Sequence, residues 1–309
     1  MKRMKLAAWL FPVLLHVVPA WALGEKPPPR PDAPDRNAQG LWWASPAGSE
    51  SGWGLNITHQ GNSLFVTWFT YDIEGRAVWY VITGTQRLKY SPEGTFTNVH
   101  QGTLYRGTGP SFDSSWATPA QLTRVGGAYL WLDNENNGTF QYWFSTGTGV
   151  PPPGTGETRR ITRYLFSSPS PTCVTDGVAG ESGFNYTDMW WNWPAGSESG
   201  WGVNISHQGT TLFATWFTYG RDGKPDWLVM SNGARQLDGT YSGTLYRMRG
   251  PAYSARPWNS SQVTATAVGR ATFSFSSNEG GTFSYTLDGI SQSKPILRYV
   301  YGSPGTVCQ

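Results

Sequence analysis

The chain has 309 residues, including 17 Trp, 15 Tyr, 14 Phe and 38 Gly, and only 14% are charged. An aromatic content of 15% excludes a disordered chain, which cannot bury enough apolar surface to offset its ordering entropy, and the surplus of Gly, Trp, Tyr and Thr favours short strands over long helices. The formal charge of +3 resides in Lys2, Arg3 and Lys5; the rest of the chain is balanced and lacks the electrostatic footprint of nucleic-acid binding.

Residues 1–22 combine a basic start, an apolar run from Leu6 to Val18 and small residues at Ala20 and Ala22. This is the pattern of a secretory signal cleaved after Ala22, and it predicts a secreted or periplasmic protein. The run is short and interrupted by Pro12, and no later segment approaches the roughly 18 apolar residues of a spanning helix, so no membrane span is expected once the signal is removed. Residues 23–39 carry five prolines and read as an extended spacer without fixed contacts. Strands are then predicted near 41–44, 53–60, 63–72, 77–84, 101–107, 126–133, 138–145 and 160–166, separated by turns rich in Gly, Asn and Asp. In the second of these, Trp53, Leu55, Ile57 and His59 share an apolar face opposite Gly54, Asn56, Thr58 and Gln60. In the third, Leu64, Val66 and Trp68 lie opposite Phe65, Phe69 and Tyr71, so both faces are apolar and each needs cover, from a sister domain or a bound partner.

Trp42 to Trp79 aligns without a gap to Trp190 to Trp227, with 25 of 38 positions identical. Shorter matches follow in the same order, among them Gly102 to Arg106 with Gly243 to Arg247 and Ile161-x-Arg163-Tyr164 with Ile296-x-Arg298-Tyr299. The chain is therefore a tandem duplication: unit one over 40–173, a linker over 174–187 and unit two over 188–309. The expected fold is all-β, two antiparallel meanders of about eight strands closed into barrels, with a two-sheet sandwich as the alternative. Cys173 and Cys308 follow their Arg-Tyr pairs at one common offset, so a disulfide between them joins equivalent ends of the two units; two free thiols or an intermolecular link are the alternatives.

The signature ESGWGLNITHQG..LFVTWFTYD..G...W and its copy ESGWGVNISHQG..LFATWFTYG..G...W resemble an uncharacterised module of exported proteobacterial proteins, found alone, in tandem or beside secreted enzymes. The resemblance spans nearly the whole chain after the signal and implies an accessory role, with no ligand and no catalytic residue to carry over. A Trp opening the first strand of an eight-stranded meander is also similar to avidin and lipocalin barrels, in architecture alone.

Glu50 and Glu198 lie in the repeated loop GSESGWG, and His59 and His207 are the histidines present in both units. A hydrolase would place its acid and base there, but a second acid at Asp72 has Gly220 as its counterpart, so no catalytic set is reproduced. Zinc needs three or four ligands, and one shared His per unit supplies no such set; neither metal nor cofactor is expected. The aromatic inventory remains. Adjacent Trp42 and Trp43 cannot both face inward, and the ligand-contacting candidates are Trp43, Trp53, Asn56 and His59, repeated as Trp191, Trp201, Asn204 and His207. The leading expectation is an exported, non-enzymatic binding protein for a glycan or another envelope component; the alternatives are a secreted hydrolase using Glu50, His59, Glu198 and His207, and a structural subunit whose aromatic faces pair with other chains.

Overall fold

The computed structural model describes residues 36–88, 99–145, 156–175 and 184–309; the expected export signal and nearly all of the proline-rich spacer lie outside them. The period-two segments of unit one form β1 (Gly40–Ala44), β2 (Gly54–Gln60), β3 (Ser63–Tyr71), β4 (Ala77–Leu88), β5 (Val99–Thr108), β6 (Gln121–Leu132), β7 (Asn137–Phe144) and β8 (Glu157–Arg163). They pair in sequence order, and β8 returns to β1. After β9 (Cys173–Thr175), unit two repeats the arrangement with β10 (Asp188–Asn192), β11 (Gly202–Gln208), β12 (Thr211–Tyr219), β13 (Pro225–Arg235), β14 (Tyr241–Arg249), β15 (Thr264–Phe275), β16 (Gly280–Leu287) and β17 (Ile290–Arg298). Both meanders are closed antiparallel barrels, which excludes the sandwich: each barrel strand has a neighbour on both sides and no edge is left open. β6 starts earlier than its apolar pattern predicts, because the polar stretch from Gln121 to Val125 continues the ladder offered by β5.

The barrels are filled with aromatic side chains. Trp68 lies 4.3 Å from Tyr142, 5.2 Å from Tyr80 and 5.3 Å from Phe140 between ring centroids, and Trp216 repeats this with Tyr285 at 4.4 Å and Phe283 at 5.2 Å. Such rings carry most of the burial energy of a small core.

The outer, apolar face of β3 is covered by the sister barrel. Phe69 meets Trp227 at 5.1 Å and Trp79 meets Phe217 at 5.8 Å. The indole N–H of Trp79 donates to the Thr218 carbonyl, and that of Trp227 donates to the Thr70 carbonyl, both at 2.9 Å. The polar face of β2 is buried as well: Asn56, Thr58 and Gln60 are all shielded from solvent.

Two further exchanges cross the junction. The segment after each barrel grips the other barrel's hairpin. Gln60 Nε2 donates to the Tyr299 carbonyl at 2.9 Å while its Oε1 accepts from Tyr301 N and Gly302 N, each at 2.9 Å. Gln208 does the same with Tyr164, Phe166 and Ser167 at 3.0, 2.9 and 3.1 Å. The next residues, Gly61 and Gly209, have φ of +57° and +56°, and a Cβ there would come within 2.7 Å of the Ser303 carbonyl oxygen and 2.5 Å of that of Ser168; both the turn and the approach of the tail demand glycine. The loop between β5 and β6 and its counterpart between β14 and β15 also reach across. Phe112 seats against Trp216 at 6.2 Å, accepts from the Tyr285 hydroxyl at 3.1 Å and donates to the Tyr219 carbonyl at 3.3 Å. Tyr253 takes the equivalent place on the first barrel, 5.0 Å from Phe144, with its N–H on the Tyr71 carbonyl at 2.9 Å.

β18 (Thr306–Cys308) pairs with β9, and Cys173 and Cys308 form the disulfide that joins the ends of the two units. Residues 36–39, expected to be without fixed contacts, are anchored: Asn37 Nδ2 donates to Thr175 and Thr306, and the Ala38 carbonyl accepts the Trp42 indole N–H at 2.9 Å. Among the described residues no helix is long and apolar enough to cross a membrane. Replacing Gln60 by Leu leaves buried backbone groups of the tail unpartnered, each costing about 1–3 kcal/mol; we expect a drop in urea-unfolding stability of about 3 kcal/mol and a similar drop for Gln208→Leu.

Candidate functional site: an aromatic groove and two histidine ends

The GSESGWG loop ends β1 and turns the chain into β2 at one mouth of each barrel. Glu50 Oε2 accepts the Trp53 indole N–H at 3.0 Å and forms an ion pair with Arg159 of β8. Arg159 is only 7% exposed, lies over the Trp53 and Trp258 rings at 5.5 and 5.7 Å, and donates to the Tyr253 carbonyl at 2.9 Å. Burial pushes its guanidinium below the usual range, against the pull of Glu50. Unit two rebuilds the same triad with Glu198, Trp201 and Lys294: the indole bond is 2.7 Å, the ion pair 2.6 Å, and the ammonium stands 5.4 Å from the ring. Glu50 thus neutralises a buried cation and Glu198 a partly buried one. Sequence reasoning missed Arg159 and Lys294; the available signal was a basic residue two positions before each repeated Ile-x-Arg-Tyr.

The histidines lie at the opposite mouths. His59 closes β2 and accepts the Ala38 N–H on Nδ1 at 3.1 Å, with the His100 ring 5.9 Å away. His207 accepts from Tyr186 N at 3.3 Å and meets the Tyr241 hydroxyl at 3.3 Å. The length of β2 separates Glu50 from His59, and that of β11 separates Glu198 from His207, so the structure does not bring the acid and imidazole candidates together. Burial, then the neighbouring His59 and Arg87, hold the His100 imidazole down at about 3. Burial and Arg235 hold His207 down at about 4, against a backbone hydrogen bond at Gly209 that favours the cation. Among the described residues no group of three His, Cys, Asp or Glu could hold a metal ion.

Asn56 and Asn204 face the junction rather than an open surface: both are buried, and the Asn204 side-chain oxygen accepts from Thr67 Oγ1 at 2.8 Å. Trp43 and Trp53 do meet in one place. They line a groove of about 350 Å³ between the barrels, whose far wall is Phe213, Tyr246 and Met248 and whose hydroxyl-bearing residues are Ser51, Tyr164, Ser231 and Tyr246. Trp42 points into the core, as alternation requires, and Trp43 is half-buried, set 4.5 Å edge-on to Tyr164. Its indole nitrogen is buried without a hydrogen-bond partner, whereas that of Trp53 is held by Glu50. Trp191 has the same setting against Tyr299, at 4.8 Å. Such a surface can stack against a planar or ring-shaped ligand and offers almost no charge to it. Comparison with family models, with curated proteins and with solved structures finds no match.

Two outcomes follow from this geometry. Glu50→Gln strands the buried Arg159 charge and lowers unfolding free energy by about 3 kcal/mol, read from urea titrations. Because His100 and His207 are held neutral when folded and take up protons near pH 6.5 when unfolded, their contribution is complete above that pH and is lost as pH falls through 6.5 toward 4 for His207 and 3 for His100, at up to about 1.4 kcal/mol per pH unit for each. Urea midpoints measured from pH 7 to pH 4 should fall accordingly, and His207→Gln should remove one of the two contributions.

Proposed function

We propose that the protein is an exported, non-enzymatic binding protein that holds a glycan or another cell-envelope component by stacking it in the inter-barrel groove at Trp43 and Trp53. The observation that carries this reading is the groove itself, an open space of about 350 Å³ with indole, phenol and thioether walls at a junction between domains, where ligand sites concentrate. The repeated Glu and His add weight by elimination, since each Glu is committed to a cation of its own barrel and each His lies at the far mouth, where His207 is held neutral. The equivalent setting of Trp191 offers a second contact to a polymer, and two linked contacts raise avidity without any new chemistry. Titration of the purified protein with soluble glycan fragments and with solubilised envelope polymers, followed by calorimetry and tryptophan fluorescence, should give saturable binding that Trp43→Ala weakens about tenfold, equivalent to about 1.4 kcal/mol. No saturable binding across both panels, or binding indifferent to Trp43, overturns the reading.

A further inference from the structure

The duplication carries its own comparison, because two copies of one scaffold differ most where their uses differ. At the histidine mouth of the second barrel an aromatic plug fills the opening. Tyr186 stacks on Phe275 at 3.6 Å and on His207 at 5.4 Å, and Tyr241 meets His207 at 5.3 Å. The pairing registers identify the matching positions in the first barrel. Tyr241 faces Phe273 across β14 and β15 as His100 faces Leu130 across β5 and β6, and Phe275 faces Gly281 as Leu132 faces Gly138. Tyr186, four residues before Trp190 and bonded through its carbonyl to that indole, corresponds to Ala38 before Trp42. Three aromatic rings are thus replaced by a methyl group, an imidazole and an isobutyl group. Beside this mouth of the first barrel, with His100 in its lining, lies a cleft of about 810 Å³, within the size range of small-molecule sites.

The charges have changed with the shape. Arg298 lies over Trp190 at 4.9 Å and Arg163 over Trp42 at 4.7 Å, but Arg298 is neutralised by the Asp188 carboxylate at 2.8 Å. The position of Asp188 is Gly40 in unit one, and Arg163 is held there by the main-chain carbonyls of Asn37, Gln39 and Glu135. Carbonyl dipoles orient a guanidinium without cancelling its charge. Arg36 lines the same cleft, where Glu135 is the acidic side chain among the described residues. Two polar atoms at this mouth, Arg36 Nε and His100 Nδ1, are buried without a hydrogen-bond partner, a condition that costs about 1–3 kcal/mol for each group unless something fills it. Neutral donors and acceptors such as Asn62, Ser170 and Thr172 complete the rim, and the disulfide-joined ribbon of β9 and β18 forms one wall, fixed to the barrel by Thr306 and Asn37.

We propose that this cleft, separate from the aromatic groove, is a binding site for an acidic saccharide: a polyhydroxylated ligand whose carboxylate faces Arg36 and whose hydroxyl groups meet the amide and hydroxyl rim. The second barrel keeps the plugged form and serves as scaffold. Calorimetric titration of the intact, oxidised protein with trigalacturonic acid, maltotriose and inorganic phosphate tests it. Expected are saturable binding of trigalacturonic acid that weakens with added salt, at least tenfold weaker binding of maltotriose and of phosphate, and about a tenfold loss in Arg36→Gln. His100→Tyr places one ring of the second barrel's plug against the cleft and should weaken this binding at least tenfold while leaving the Trp43-dependent binding in the groove intact; should that variant fail to fold, Arg36→Gln decides alone. Absence of saturable trigalacturonate binding at millimolar concentration, equal binding of maltotriose, equal binding of phosphate, or indifference to Arg36→Gln overturns the proposal. Loss of the groove reading alone, shown by Trp43→Ala without effect on any envelope ligand, leaves these outcomes unchanged.

Discussion

The molecule depends on the reciprocal burial of two strands that are apolar on both faces. A closed barrel can take one face of β3 or β12 into its interior; the other must find cover or remain an exposed aromatic patch. Each barrel supplies that cover for the other through the crossed indole bonds of Trp79 and Trp227. The junction is isologous in the manner of a two-fold dimer, yet it lies within one chain. Covalent linkage replaces a bimolecular encounter by a high effective concentration, and the disulfide between Cys173 and Cys308 closes the circuit at the far side.

That dyad explains which residues the two copies share. Gln60 and Gly61 clamp the tail of the other unit, Tyr71 binds the Gly52 carbonyl at 2.6 Å beneath the GSESGWG loop, and Trp79 crosses the junction. Identity is therefore densest where each unit must fit the other, a constraint that acts on both copies at once. At the histidine mouths the constraint is one-sided, and there Ala38, His100 and Leu132 have parted from Tyr186, Tyr241 and Phe275. A motif as long as ESGWGxNIxHQG, read as a sign of chemistry, marks an interface.

The strands of unit one are legible in the sequence because period-two patterning and Gly/Asn turns act locally, and the repeat carries the same reading into unit two. The need for cover on the second face of β3 is legible too, since it follows from Phe65, Phe69 and Tyr71 alone. The partners of the repeated polar groups are not. Glu50 finds Arg159 at a sequence separation of 109 and Gln60 finds Tyr301 at 241, and no spacing rule connects residues so far apart. The candidate aromatic residues divide for the same reason: Trp43 and Trp53 flank one turn and meet in the groove, whereas Asn56 and His59, two and five positions further from that turn, are carried along β2 into the junction and to the opposite mouth.

The two mouths of a barrel are not equivalent, and this limits where a ligand can act. At the mouth near Glu50 the sister barrel's loop lays Tyr253 against Phe144 and Trp258 donates its indole N–H to the Ser51 carbonyl at 3.0 Å; at the mouth near Glu198 the Phe112 loop does the same. Opening either would cost the inter-barrel contacts that hold the whole molecule together. Among the described residues the histidine mouths carry no such loop; the cleft at the first is bordered by its own unit, by the tail segments and by Thr187, Ser206 and Gln208 of unit two. Exchanging Tyr186, Tyr241 and Phe275 for Ala38, His100 and Leu132 removes local packing and leaves the dyad intact, so the first barrel's mouth can differ from its twin's without loss of the frame.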